Sequence, residues 1–152
     1  MKLLLECKPD ETLAIALGVP HRSIIHSHGK GGVSKGLRKH SGVMALVDED
    51  PGSAEPTSFG RFAEVSTTHD VRLRRDNTEN NRLIVICPRL EPWLIKTAKE
   101  AKVKMDSFNL SEKLQDLDAD INHRLPNLER LLIELLNLKS PRLLHLKSLL
   151  AS

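Results

Sequence analysis

Aromatic side chains are nearly missing: the 152 residues include one Trp, three Phe and no Tyr. The core must therefore be built from Leu, Ile, Val and Ala, and a platform of aromatic rings for stacking bases is excluded. Cysteine is scarce too. Cys7 and Cys87 form no CxxC pair and sit in apolar runs that read as strands. This argues against a disulfide framework or a structural zinc site, and for reduced, buried thiols. No apolar run nears the ~20 residues of a membrane span. The opening MKLLLECKPDE has too short an apolar part for a signal peptide. The expectation is a cytoplasmic protein with no membrane partner. Acid is absent from residues 12 to 47, which carry Arg22, Lys30, Lys35, Arg38, Lys39 and four histidines. Arg72, Arg74 and Arg75 form a second basic cluster. Such faces either bind polyanions or are simply solvated.

What is present reads as an α/β chain. KLLLEC (2–7) is an apolar run bounded by charge, and Pro9-Asp10-Glu11 then suits a helix start that Gly18 and Pro20 bring to an end. RSIIHS (22–27) is a weaker strand, and VMALVD (43–48) the clearest buried one. Strand, helix, strand, helix and strand at this spacing predict a mostly parallel sheet flanked by helices. Residues 49–60 read as a loop, 69–75 and 82–87 as a hairpin around DNTENN, and Glu91 to about Lys104 as a helix.

From Ser107 the pattern is helical only. Leu110, Leu114, Leu117 and Ile121 share a face, Pro126 opens a leucine-rich helix, and Ser140-Pro141 starts a last one. The division expected is an α/β domain at 1–105 and an all-helical extension at 106–152 packed on it. Its leucines serve either that packing or a homodimer or protein-partner surface.

HSHGKGGVSKG (26–36) resembles the phosphate loop of partition-type ATPases. A phosphate loop needs Ser or Thr after its lysine and a substantial helix behind it. Here Gly36 follows Lys35, Ser34 occupies a glycine position, and the helix expected from Ser34 reaches only Lys39. A nucleotide cradle is disfavoured, and a glycine-rich loop offering Lys30 and Lys35 to phosphate is expected instead. His26 and His28 read as solvated or phosphate-contacting side chains rather than a metal pair.

Acids gather where parallel strands end. Glu6 and Asp10 follow the first strand, Asp48 and Asp50 the third, and Glu91 the last. If the chain stays extended, Asp48 and Asp50 point to one side. Clustered carboxylates repel unless a hard divalent cation joins them. The other reading is unrelated helix-start and turn acids.

LLLECKPDETLAIAL and GVMALVDEDPG resemble, in order and spacing, the two motifs of the topoisomerase–primase (Toprim) domain. Glu6 and Asp10 match the first motif, with Cys7 where glycine is usual, and Asp48 and Asp50 match the second. RLEPWLIK (89–96) is similar to the E-x-W-L helix start of small stand-alone members and abortive-infection nucleases. The resemblance covers about residues 2 to 104. It implies a Toprim-like Rossmannoid fold in which Asp48 and Asp50 bind Mg2+ or Mn2+, Glu6 is a ligand or general acid/base, and Asp10 and Glu91 join as further ligands. The implied function is phosphodiester chemistry on nucleic acid, foremost as a nuclease. Lys30, Lys35, Arg38 and Lys39 then hold the backbone. The alternative is a non-catalytic, metal-binding subunit that regulates a partner.

Overall fold

The apolar runs at 3–5, 44–48 and 81–86 alternate their side chains between two cores. Leu3, Leu5, Met44, Leu46, Ile84 and Ile86 share one, and Leu4, Ala45, Val47, Leu83 and Val85 the other. Strands buried on both faces belong in the middle of a parallel sheet. The structure, a computed structural model, describes residues 1–151. Its strands are β1 (Leu3–Leu5), β2 (Ile24–His26), β3 (Met44–Asp48), β4 (Ala63–Thr68), β5 (Val71–Asp76) and β6 (Asn81–Ile86). They form one sheet in the order β2-β1-β3-β6-β5-β4. The pairings among β2, β1, β3 and β6 are parallel, and β5 and β4 are added antiparallel. The expected parallel α/β sheet and the β5–β6 hairpin are present. Strand β4 lies in a stretch that the sequence left unassigned.

Helix α1 (Lys8–Ala16) has proline in its first turn and ends before Gly18, whose φ of +97° suits a residue without Cβ. It lies on the first face with α3 (Leu90–Glu100). Helices α4 (Leu114–His123), α5 (Leu125–Asn137) and α6 (Pro141–Ala151) add a further layer. Leu117, Ile121, Leu128, Leu131, Leu132, Leu135, Leu143 and Leu146 are buried in the same core as Leu13 and Trp93. Leu110 is buried too, but it lies in a turn ahead of α4 rather than on its face. Ser140 caps α6, its hydroxyl accepting from the Leu143 N–H at 3.3 Å.

The second face is covered by α2 (Gly29–Lys39) and by Phe59 and Phe62 from the connection before β4. Here the structure corrects the sequence reading: GKGGVSKG is not a loop but the body of α2. Its glycines and Ser34 disfavour a helix, and packing at Gly32 and Gly36 offsets this. Gly32 faces the backbone of Ser27, where an added Cβ would lie 3.3 Å from its carbonyl carbon. At Gly36 a Cβ would lie 2.9 Å from the Leu4 side chain. Val33 and Leu37 are buried between them. The glycines let α2 sit close to β1. An exchange series separates this from mere helix weakness. Gly31→Ala meets open space and is expected to stabilise by about 0.5–1 kcal/mol. Gly36→Ala should lose that gain or reverse it, because buried Leu4 must shift. Urea midpoints check this, and equal stabilisation at both positions would refute the close-packing account.

Candidate acidic functional site

In a parallel sheet, a crevice opens beyond the carboxyl ends of two strands whose connections leave in opposite directions. Here that point lies between β1 and β3, because β2 flanks β1 on one side and β3 on the other. Glu6 follows β1 and Asp48 ends β3, so both carboxylates belong to this crevice. Glu6 Oε1 accepts a hydrogen bond from the Asp48 N–H at 3.2 Å. The first turns of α1 and α3 add Asp10 and Glu91.

These acids act on one another. Burial pushes Asp48 up to about 7, with Glu91 and then Glu6 adding repulsion, while the Leu90 N–H and Lys30 oppose. Asp10 is only 2% exposed. Burial and then Asp48 raise it well above the carboxylate range, Glu6 and Glu91 contribute, and the Cys7 thiol hydrogen-bonds back to it. Burial also raises Glu6, and the N–H of Asp48 and the charge of Lys30 work against this. Glu91 is raised by burial and then by the charge of Asp118. The helix N-terminus suits an acid at Asp10 and Glu91, but it accounts for neither Glu6 nor Asp48. Nor does it account for three buried carboxylate oxygens, Asp10 Oδ1, Asp48 Oδ1 and Glu91 Oε2, that lack a hydrogen-bond partner. Buried polar atoms are seldom left so.

Asp50 departs from the expectation. The strand ends at Asp48, and Asp50 turns out with φ +48°, its N–H bonded to Pro88 O at 2.8 Å. Its carboxylate accepts from Ser53 Oγ at 3.0 Å, and its influence on Glu6 is smaller than that of Lys30. The two aspartates therefore do not form a side-by-side pair on an extended chain. Cys7 is also not a buried strand residue: it is an exposed residue at the start of α1.

The basic residues separate. Lys30 turns toward the acids, its Nζ donating to Glu49 O at 2.7 Å. Lys35 and Lys39, one turn apart on α2, border a cavity of about 420 Å³ that His26, His28 and His40 also line. Arg38 is exposed and does not line it. The second arginine cluster is engaged within the fold. Arg72 pairs with Glu64 (2.8 Å) and Glu49 (3.3 Å), and Arg74 is buried against the carbonyls of Phe59 and Phe62. His26 and His21 converge on Glu11, at 2.6 and 3.1 Å, rather than on a shared metal position.

Asp118 is the residue that the sequence did not single out. Its influence on Glu91 depends on how α4 packs on α3, and no local motif signals that. Among the described residues, no three His, Cys, Asp or Glu side chains stand in a ready-made metal shell. The carboxylates are near enough to repel, yet they do not converge on one point. No family model, curated protein or solved structure matches the chain.

Proposed function

We propose that the protein performs Mg2+- or Mn2+-dependent phosphodiester chemistry on nucleic acid, as a nuclease, at the crevice between β1 and β3. The observation that carries this reading is the group of unpaired, buried oxygens on Asp10, Asp48 and Glu91, gathered with Glu6 at the carboxyl ends of parallel strands. All-oxygen donors of this kind fit a hard divalent cation and suit softer metals poorly. Asp48, Glu6, Asp10 and Glu91 are the proposed holders, with Asp50 at the rim. Such an ion supplies the Lewis acidity and water activation that phosphodiester hydrolysis requires.

The chain's own groups do the remaining work. Glu6, whose carboxyl burial raises above its ordinary value, is the group placed to take or give a proton. Lys30 places its charge beside the acids, where it can meet a phosphate oxygen. Lys35 and Lys39 hold the strand further along α2. The resemblance of the Glu6 and Asp48 motifs to the Toprim domain supports the same assignment.

The test uses the purified chain with labelled DNA and RNA and either metal. Cleavage should appear with metal and vanish with EDTA. No cleavage of either polymer with either metal would sink the nuclease reading. The absence of a ready-made ligand shell among the described residues favours the second reading, a regulatory subunit without catalysis, and that result would promote it.

The grip on the backbone has its own signature. Lys35→Ala combined with Lys39→Ala is expected to weaken polyanion binding. It should also make the dependence of log K on log salt shallower by about 2, near 0.9 per phosphate contact. Mn2+ affinity should stay unchanged. An unaltered salt slope would show that these lysines are only solvated.

A further inference from the structure

We propose that the groove between β2 and α2 binds a phosphate monoester, the group found at a phosphorylated end of nucleic acid and on a free nucleotide. Lys35, Lys39 and His40 are its holders. This rests on the nucleic-acid reading above and narrows it to the end of a strand, and it needs no metal.

The cavity of about 420 Å³ is within the ~300–1,000 Å³ of small-ligand sites. Three histidines and two lysines line it, and among the described residues no acid does. The side chains of Lys35, Lys39 and His40 have no hydrogen-bond or ion-pair partner among the described residues, so their N–H groups are open to a ligand. Lys35 and Lys39 stand one turn apart on the same side of α2, and His40 follows directly. Two ammonium groups and an imidazole match a monoester, which carries nearly two charges and three terminal oxygens. A diester inside a strand offers one charge and two such oxygens.

The C-terminal end of a helix ordinarily repels an anion through its free carbonyls. Here Asn81, wholly buried, occupies two of them: its Nδ2 donates to Leu37 O and to His40 O, each at 2.9 Å. That bond pair blunts the repulsion and also fixes where His40 stands. The rest of the groove is equally set. Helix α2 packs directly on Ser27 and Leu4 at Gly32 and Gly36, and Glu11 holds His26 Nε2 at 2.6 Å. The 11 residues of α2 span ~16 Å. His28 lies at the far end of the groove, where the next nucleotide inward would pass.

The test measures binding by calorimetry in EDTA, which keeps metal-dependent cleavage out of the measurement. The probes are single-stranded thymidine decamers with a 5′-phosphate, a 3′-phosphate or hydroxyls at both ends, and free thymidine monophosphate against thymidine. The wild-type arm needs no variant. A phosphate-ended decamer is expected to bind about tenfold tighter than the hydroxyl-ended one, the return of one further charge-assisted hydrogen bond. His40→Ala removes an exposed side chain that bonds to nothing in the fold. It should cut this preference below about threefold and leave the hydroxyl-ended decamer nearly unchanged. His28→Ala should keep the preference.

Equal wild-type affinity for phosphate- and hydroxyl-ended decamers would overturn the monoester site and leave the backbone grip standing. A preference that survives both His40→Ala and Lys35→Ala would lie elsewhere on the protein, and would overturn it too. Binding of thymidine monophosphate that depends on His40, with no decamer bound, would uphold the monoester site, assign it to a free nucleotide and sink the nucleic-acid reading. If neither decamers nor thymidine monophosphate bind, both fall.

Discussion

Asp48→Asn is expected to stabilise the metal-free protein at pH 8 while abolishing metal-dependent cleavage. Two effects of opposite sign from one substitution follow from the cost of holding this carboxylate. Its ordinary value of 3.8 is pushed up to about 7, first by burial. The unfolded chain ionises Asp48 from about pH 4 upward, whereas the folded chain keeps the proton until about pH 7. The unfolded state therefore binds fewer protons across that window, and stability falls as pH rises through it. Above about pH 7 the whole penalty is in force, at most about 4 kcal/mol at ~1.4 kcal/mol per unit.

Asparagine is neutral at every pH and its oxygen can still accept the Leu90 N–H. The variant should melt roughly 5–10 °C higher at pH 8 without metal, at ~2–4 °C per kcal/mol for a chain of this size. At pH 4 the difference should nearly vanish. Cleavage should fall by roughly three orders of magnitude, the scale of losing a principal charge-stabilising group. Thermal melts at both pH values and a cleavage assay check the pair. A variant that melts lower than wild type at pH 8 would mean that the Asp48 carboxylate is well satisfied without a cation.

A large loss of stability is expected at Arg142. Its guanidinium, in a residue only 4% exposed, lies 5.0 Å above the Trp93 ring. Nε donates to Thr97 Oγ1 at 2.8 Å, and that hydroxyl donates in turn to Trp93 O. Nη1 reaches Asp70 at 2.9 Å, an acid it shares with Lys96. Asp70 is well exposed, so the ion pair itself contributes little. The greater part comes from stem packing, the contact with the indole and the buried hydrogen bond. Arg142→Ala would open space between α3 and α6 and is expected to cost about 3 kcal/mol. Arg142→Met, which refills the volume, should cost about 1–2 kcal/mol. Urea denaturation measures both. A cost below about 1 kcal/mol for alanine would show that α6 is held by its leucines alone.

The residues that could be read from sequence are those whose signal is local. LLL, MALV and LIVI are apolar runs closed by acids or proline, so β1, β3 and β6 and the positions of Glu6, Asp48 and Glu91 were legible. Helix α2 was not, because helix propensity counts its three interior glycines as breaks. The close approach of Gly36 to Leu4, a contact 32 positions away, outweighs that cost. Strand β4 was missed because almost nothing of it is buried; Val65 is 56% exposed, and no inward face imposes an alternation. The basic residues looked alike in sequence, yet Arg74 is interior, Lys30 is turned to the acids and Lys35 faces a cavity. Such distinctions arise only when distant segments meet, as do the unpaired oxygens of the site.

The placement of α1 against α5 sets an order of events during synthesis. Leu13, Ala14 and Leu17 are made early, but Leu128, Leu131, Leu132 and Leu135, which share their core, are made over a hundred residues later. A chain leaving the ribosome must hold the outer side of α1 uncovered until α5 has emerged. Long-range closure of this kind is slow and exposes apolar surface meanwhile. The emergence of α5 is the step that covers this surface.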